Sequence, residues 1–165
     1  MYSVTFQPTP EDLIAAARLN YRTTLRSKRV ILPLIGGCVV LGLIGWFVAE
    51  PAALGSAPVL AAIGVGYWAV IFSSILVVSY LRIPSRMRRN FAQQRALHDP
   101  TTIDWSDAGI TITAERGHLK LAWTDFVRIV KGRDAIVLRQ TDLLMNFVPT
   151  RVLSTEQIDS FPETR

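Results

Sequence analysis

Two long stretches of this chain contain no charged side chain: Val30 to Ala49 and, after the single Glu50, everything from Pro51 to Leu81. Nothing else in the sequence constrains the fold so strongly. At about 1.5 Å per residue a helix over the first run reaches roughly 30 Å, the thickness of a hydrocarbon core, and one from Val59 to Leu81 is somewhat longer and fits by tilting. Val30–Ala49 and Val59–Leu81 each carry twelve Leu, Ile, Val or Phe residues. At roughly −0.3 to −0.6 kcal/mol apiece these favour insertion by about 4–7 kcal/mol per span, before Gly and Pro subtract something. A buried soluble hairpin would need a far larger domain around it than the rest of a 165-residue chain can build. The sequence therefore predicts two transmembrane helices, 30–49 and 59–81, joined by an extracytoplasmic loop, 50–58. Ala53 and Gly55 make only a weak cleavage signal, and the folded, charged segment ahead of the first span argues for an uncleaved anchor.

Charge sets the orientation. The chain carries a formal net charge of +5. Residues 1–29 hold five basic and two acidic side chains, residues 82–98 hold five Arg, and residues 99–165 hold eight basic against ten acidic. Both basic clusters flank the apolar block on one side, while the 50–58 connection has no Lys or Arg, so the positive-inside rule places both termini in the cytoplasm. The basic pI of about 9.9 is thus a topology signal, and no nucleic-acid partner is expected from a slightly acidic C-terminal domain.

Within residues 1–29, Tyr2–Phe6 alternates as a strand does. Thr9, Pro10 and Asp12 then supply an N-cap, an N1 proline and an N3 acid that open a helix running toward the first span. Arg18, Arg22, Arg26 and Arg29 recur at helical spacing on it and form one stripe. Past the second span, residues 82–99 form a basic juxtamembrane helix. Ile83, Met87, Phe91 and Leu97 share an apolar sector, and Arg82, Arg86, Arg88, Arg89 and Arg95 fill the rest of the wheel. Two uses of these nine arginines stay open: contact with anionic lipid head groups or an acidic partner, or simple orientation of the hairpin. The apolar stripe can lie on the inner leaflet or pack on the N-terminal helix or the following domain.

From residue 100 onward the period changes from helical to alternating. Ile103 and Trp105, Ile110 and Ile112, then Leu119, Leu121 and Trp123 alternate with polar residues, separated by three-residue turns at Asp107-Ala108-Gly109 and Glu115-Arg116-Gly117. Further strands are expected over 126–131, 135–140 and 143–149, with turns at Gly132-Arg133-Asp134 and Thr141-Asp142. Ser154 and Gln157 make a capping box for a short final helix with Ile158 and Phe161. The expected fold is membrane α+β: a two-span helical hairpin and a small cytoplasmic antiparallel β-domain, a twisted sheet or open barrel of six strands. Tyr2–Phe6 is open as a seventh, and a C-terminal helix covers one side.

The layout resembles the YcxB-like membrane proteins of bacteria. The residues that carry the resemblance are Tyr80-Leu81-Arg82-Ile83-Pro84-Ser85-Arg86 with Arg89 and Phe91, then Trp123-Thr124-Asp125-Phe126, and Phe147-Val148-Pro149-Thr150-Arg151, in that order and spacing. The resemblance implies a bacterial inner-membrane protein with a small cytoplasmic C-terminal domain similar to pleckstrin-homology-like modules. It supplies no catalytic residues.

No chemistry-bearing constellation emerges from the residues themselves. Cys38 lies inside the first span, where its thiolate is disfavoured. His98 and His118 have neither Cys nor a second His nearby, so no metal site is expected. Gly64-Val65-Gly66 imitates a dinucleotide fingerprint but lacks a preceding strand, and neither a P-loop nor a nucleophile elbow is present. No cofactor is expected. Small residues four apart, Cys38 with Gly42, Gly45 with Ala49, and Ala62 with Gly66, permit close helix packing within the hairpin or between copies of the chain. Trp123, Asp125 and Arg151 have two readings: core packing and turn capping, or a surface for a peptide or another membrane subunit. The function expected is that of a non-enzymatic inner-membrane protein whose β-domain serves as an interaction or regulatory module with an unidentified protein partner. A small oligomeric transport or channel component and a lipid-modifying enzyme are the alternatives.

Overall fold

The computed structural model describes residues 1–48, 57–141 and 144–162. Ala49, Glu50, most of the 50–58 connection, Asp142 and Leu143 lie outside the described residues. In chain order the elements are β1 (Tyr2–Phe6), α1 (Pro10–Leu25), α2 (Lys28–Val48), α3 (Ala57–Leu81), α4 (Ile83–Gln93), β2 (Thr101–Ser106), β3 (Gly109–Ala114), β4 (Gly117–Ala122), β5 (Arg128–Lys131), β6 (Ala135–Arg139), β7 (Met145–Pro149) and α5 (Thr155–Ser160). They assort into two compact units, residues 1–20 with 83–165, and residues 21–82.

The second unit is an apolar helical hairpin. Both α2 and α3 are long and apolar enough to cross a membrane, and 0% of the apolar window of either is buried in the protein, unlike the core helix of a soluble fold. Small residues let the two backbones meet. A Cβ at Gly45 would stand 2.5 Å from the Leu60 carbonyl oxygen, and one at Gly64 would stand 2.6 Å from that of Leu41. Gly42 also faces α3, whereas Gly66 has nothing within 4 Å and does not meet α2. Trp68 lays its indole against Gly37 and donates Nε1–H to the Leu34 carbonyl at 3.1 Å. In the same unit the Tyr21 hydroxyl donates to the Leu76 carbonyl at 2.8 Å.

The helix expected to run straight into the first span is in fact two. Chain order breaks at Arg26–Ser27, and α2 restarts with the Ser27 carbonyl accepting from the amides of Val30 (3.0 Å) and Ile31 (3.2 Å). Thr23, Thr24 and Ser27 are weak helix interiors that bond readily to local backbone. The basic stripe is interrupted accordingly: Arg18 and Arg22 lie on α1, Arg26 in the turn and Arg29 on α2.

The other unit is a β-domain assembled from both flanks of the hairpin. One antiparallel sheet has the order β1-β2-β3-β4 and the other β5-β6-β7. Strand β1 is the seventh strand: Tyr2 stands opposite Trp105 and Phe6 opposite Thr101. Inward residues of both sheets share one core, Phe6, Ile103, Trp105 and Ile110 together with Ile129, Ile136, Leu138 and Val148, joined by Phe126 and Phe161. Helix α5 is held by Trp105, whose Nε1–H donates to Ser160 Oγ at 2.9 Å and whose ring stacks on Phe161 at 4.8 Å. Its capping box forms as expected, with the Gln157 amide donating to Ser154 Oγ at 3.3 Å and the Ser154 amide to Gln157 Oε1 at 2.8 Å.

Strand β6 is buried on both faces, which is why Ala135-Ile136-Val137-Leu138 reads as a continuous apolar run. Ile136 and Leu138 point into the shared core, while Ala135 and Val137 pack with Ala16 in a second cluster that Leu19 and Phe147 join. Helix α1 is therefore seated on the outer face of the three-stranded sheet.

Several boundaries differ from expectation. Register pairs Ser106 with Gly109 and Ala114 with Gly117, so both turns have two residues instead of three. Gly109 opens β3 at φ +156°, with the Leu121 carbonyl occupying the space a Cβ would need. Strand β4 stops at Ala122, and Trp123–Asp125 forms a 3-10 turn. Helix α4 ends at Gln93 because Gln94 is extended (φ −97°, ψ 93°); Arg95–His98 form a separate 3-10 turn, and Arg95 and Leu97 leave the helical wheel.

Candidate functional site

Asp12 and Arg151, 139 residues apart in sequence, form the most concentrated polar arrangement described in the β-domain. Asp12 is the N3 acid of α1 and closes a capping box: the Thr9 amide donates to its Oδ2 at 2.9 Å, and its own amide donates to Thr9 Oγ1 at 3.3 Å. The same carboxylate accepts from Arg151 Nε at 2.9 Å on Oδ1 and from Nη2 at 2.8 Å on Oδ2. Nη2 also donates to the Gln7 carbonyl at 3.0 Å. Asp12 is 6% exposed. Burial by itself would raise its pKa, but the hydrogen bonds from Arg151 and Thr9 outweigh that and hold the carboxyl below its ordinary value. Arg151 is correspondingly held more firmly protonated by Asp12. A charge-assisted bidentate pair of this kind fixes geometry more than it offers chemistry. It clasps the start of α1 to the 3-10 turn Thr150–Val152 that follows β7.

Trp123 and Asp125 share a different turn. Asp125 Oδ2 accepts from the Ala122 amide at 2.8 Å, the capping role expected of a short acid. Trp123 donates Nε1–H to the Ser106 carbonyl at 2.8 Å and lies 6.0 Å from the Phe161 ring and 5.9 Å from that of Phe126. Trp123 and Asp125 thus come together, while Arg151 is engaged with Asp12 and Gln7. All three hold the fold through intramolecular partners. The local signal at Thr9-Pro10-Asp12 revealed a cap; nothing in it pointed to Arg151.

The nine arginines are sorted by the structure. All nine are exposed. Arg18 and Arg29 have intramolecular partners. Arg88 reaches Glu11 at 4.0 Å, a pair more than two-thirds exposed on both sides and worth little. The apolar stripe of α4 faces protein: Ile83 is 8% exposed, and the Phe91 ring meets His98 edge-on at 4.5 Å.

Elsewhere on the β-domain, Asp104, Thr111 and Lys120 stand side by side on β2, β3 and β4 and border a pocket of about 250 Å³. His118 is exposed, and Cys38 is a half-buried free thiol. Among the described residues no group of three or more His, Cys, Asp or Glu could hold a metal ion.

No curated protein matches the chain. Residues 105–163, the segment running from Trp105 in β2 through α5, match the family model of the YcxB-like protein.

Proposed function

We propose that the chain is a non-enzymatic integral protein of the bacterial inner membrane, crossing it twice, whose β-domain lies on the cytoplasmic side and acts as an interaction or regulatory module at the bilayer. The observation that carries this reading is the β1–β2 ladder, with Tyr2–Phe6 paired along Thr101–Trp105. A sheet built from both flanks of an apolar hairpin supports an even number of crossings with both flanks on one side. The basic clusters around the spans favour the cytoplasm as that side. Four plus three antiparallel strands with a C-terminal helix are similar to pleckstrin-homology-like modules, a class whose work is binding. The test is crosslinking mass spectrometry on mild-detergent extracts of cells making the full chain. Crosslinks from Lys120 and Lys131 to one reproducible protein, absent from an unrelated two-span control, are the expected result. If no protein is enriched over that control, the interaction-module reading fails.

A further inference from the structure

Helix α4 begins one residue after α3 ends, with only Arg82 between Leu81 and Ile83. Its sequence, IPSRMRRNFAQ, contains no acid. With 100° per residue, Arg86, Arg89, Asn90 and Gln93 fall in one sector, set beside the one that holds Ile83, Met87 and Phe91. On the apolar side Ile83 is buried and the Phe91 ring meets His98 of the following 3-10 turn, and Arg88 at its flank reaches Glu11. The polar sector is exposed at all four positions, and neither Arg86 nor Arg89 has a hydrogen bond or ion pair among the described residues. Like charges three and four apart on a helix repel. The sequence thus stacks guanidinium groups on a face that the fold turns away from itself and leaves without a counter-charge.

We infer that the Arg86–Arg89 face of α4 binds the phosphate groups of anionic phospholipids. Guanidinium forks match phosphate oxygens bidentately, and the side-chain amides of Asn90 and Gln93 add neutral donors on the same face. The occupant is lipid because of chain connectivity. Eleven residues of helix span about 16 Å, so a face that starts one residue beyond an apolar span stays within reach of the leaflet's head groups. This inference rests on the membrane-anchored reading above and sharpens it: of the nine basic residues flagged by the sequence, two on one helix face carry lipid recognition.

The experiment uses the full chain purified in neutral detergent. Native mass spectrometry compares retention of phosphatidylglycerol and phosphatidylcholine added in equal amounts. Wild type is expected to retain phosphatidylglycerol in preference. A basic side chain near an anionic surface is worth roughly fivefold in binding, so the Arg86→Gln/Arg89→Gln double variant loses about thirtyfold. Arg133→Gln, on the β5–β6 turn, leaves retention unchanged, and Arg86→Lys/Arg89→Lys keeps most of it. Equal retention of the two lipids by wild type, no loss in the double Gln variant, an equal loss in Arg133→Gln, or displacement of the lipid by millimolar inorganic phosphate would each overturn the inference. Carbonate extraction of membranes separates the two levels. Release into the soluble fraction defeats the membrane-anchored reading, whereas retention in the pellet without lipid preference defeats only the role of Arg86 and Arg89.

Discussion

Asp12 shows how much one side chain can hold together. Its carboxylate completes the N-terminal capping box of α1 and receives both Nε and Nη2 of Arg151. Arg151→Gln removes the clasp and leaves the cap, which is expected to cost about 1–2 kcal/mol, moderated because the Arg151 side chain is 50% exposed. Asp12→Ala removes both and is expected to cost about 2–3 kcal/mol. Thermal unfolding of the full chain in detergent, followed by tryptophan fluorescence, measures both; equal melting temperatures for wild type and Asp12→Ala would remove the clasp from the account of stability. The pH dependence has a definite sign. Because the folded-state pKa of Asp12 is lowered, its contribution is fully present above the unfolded value of about 3.9 and is lost as pH falls through the folded one. The gap between wild type and Arg151→Gln is therefore constant from about pH 5 upward and closes below about pH 4. A gap that widened on acidification would contradict the assignment. The cap was legible in Thr9-Pro10-Asp12 because capping is local; the clasp was not, because no local pattern names a partner 139 residues away.

At the scale of elements, the seat of α1 on the three-stranded sheet depends on small residues. Ala16 is 1% exposed against Ala135 and Val137, and a Cβ at Gly132 would stand 2.6 Å from Leu19 Cδ2. Ala16→Glu places an unpaired carboxylate in that seam and is expected to cost about 3 kcal/mol or more, with α1 becoming cleavable in limited proteolysis; Glu11→Gln on the exposed side changes stability by no more than about 0.5 kcal/mol. Protection of α1 unchanged in Ala16→Glu would refute the seating. Strand periods and the final capping box were readable because alternation and caps are written in neighbouring residues. The run Ala135-Ile136-Val137-Leu138 also carried the mark of a strand covered on both faces, without saying what covers the second. Helix ends fared worse. The breaks at Ser27 and Gln94 arise where backbone bonding changes inside a pattern whose polarity stays helical, and the turns shortened because register, not composition, counts their residues.

The whole molecule is a β-domain interrupted by an apolar hairpin, and the YcxB-like match, which begins at Trp105, leaves out β1 and α1. A fragment of residues 101–165 would expose the β2 edge, lose Phe6 from the core and lose the second cover of β6. It is expected to give poorly dispersed amide NMR spectra or to aggregate. Residues 1–20 joined by a flexible Gly/Ser linker to residues 83–165 restore every strand of both sheets and are expected to give a dispersed spectrum; a well-folded 101–165 fragment would show that β1 is dispensable. The same ladder makes the topology test unusually sharp. Reporters fused at each terminus and at residue 55 distinguish three arrangements. Under the proposed one, both terminal fusions report the cytoplasm and the residue-55 fusion reports the opposite side. Both termini outside would reverse the orientation and leave the sheet intact, indicating that the arginine clusters do not set direction. Termini on opposite sides would be incompatible with Tyr2–Phe6 pairing along Thr101–Trp105, because no strand can pair through a bilayer, and would overturn the domain itself.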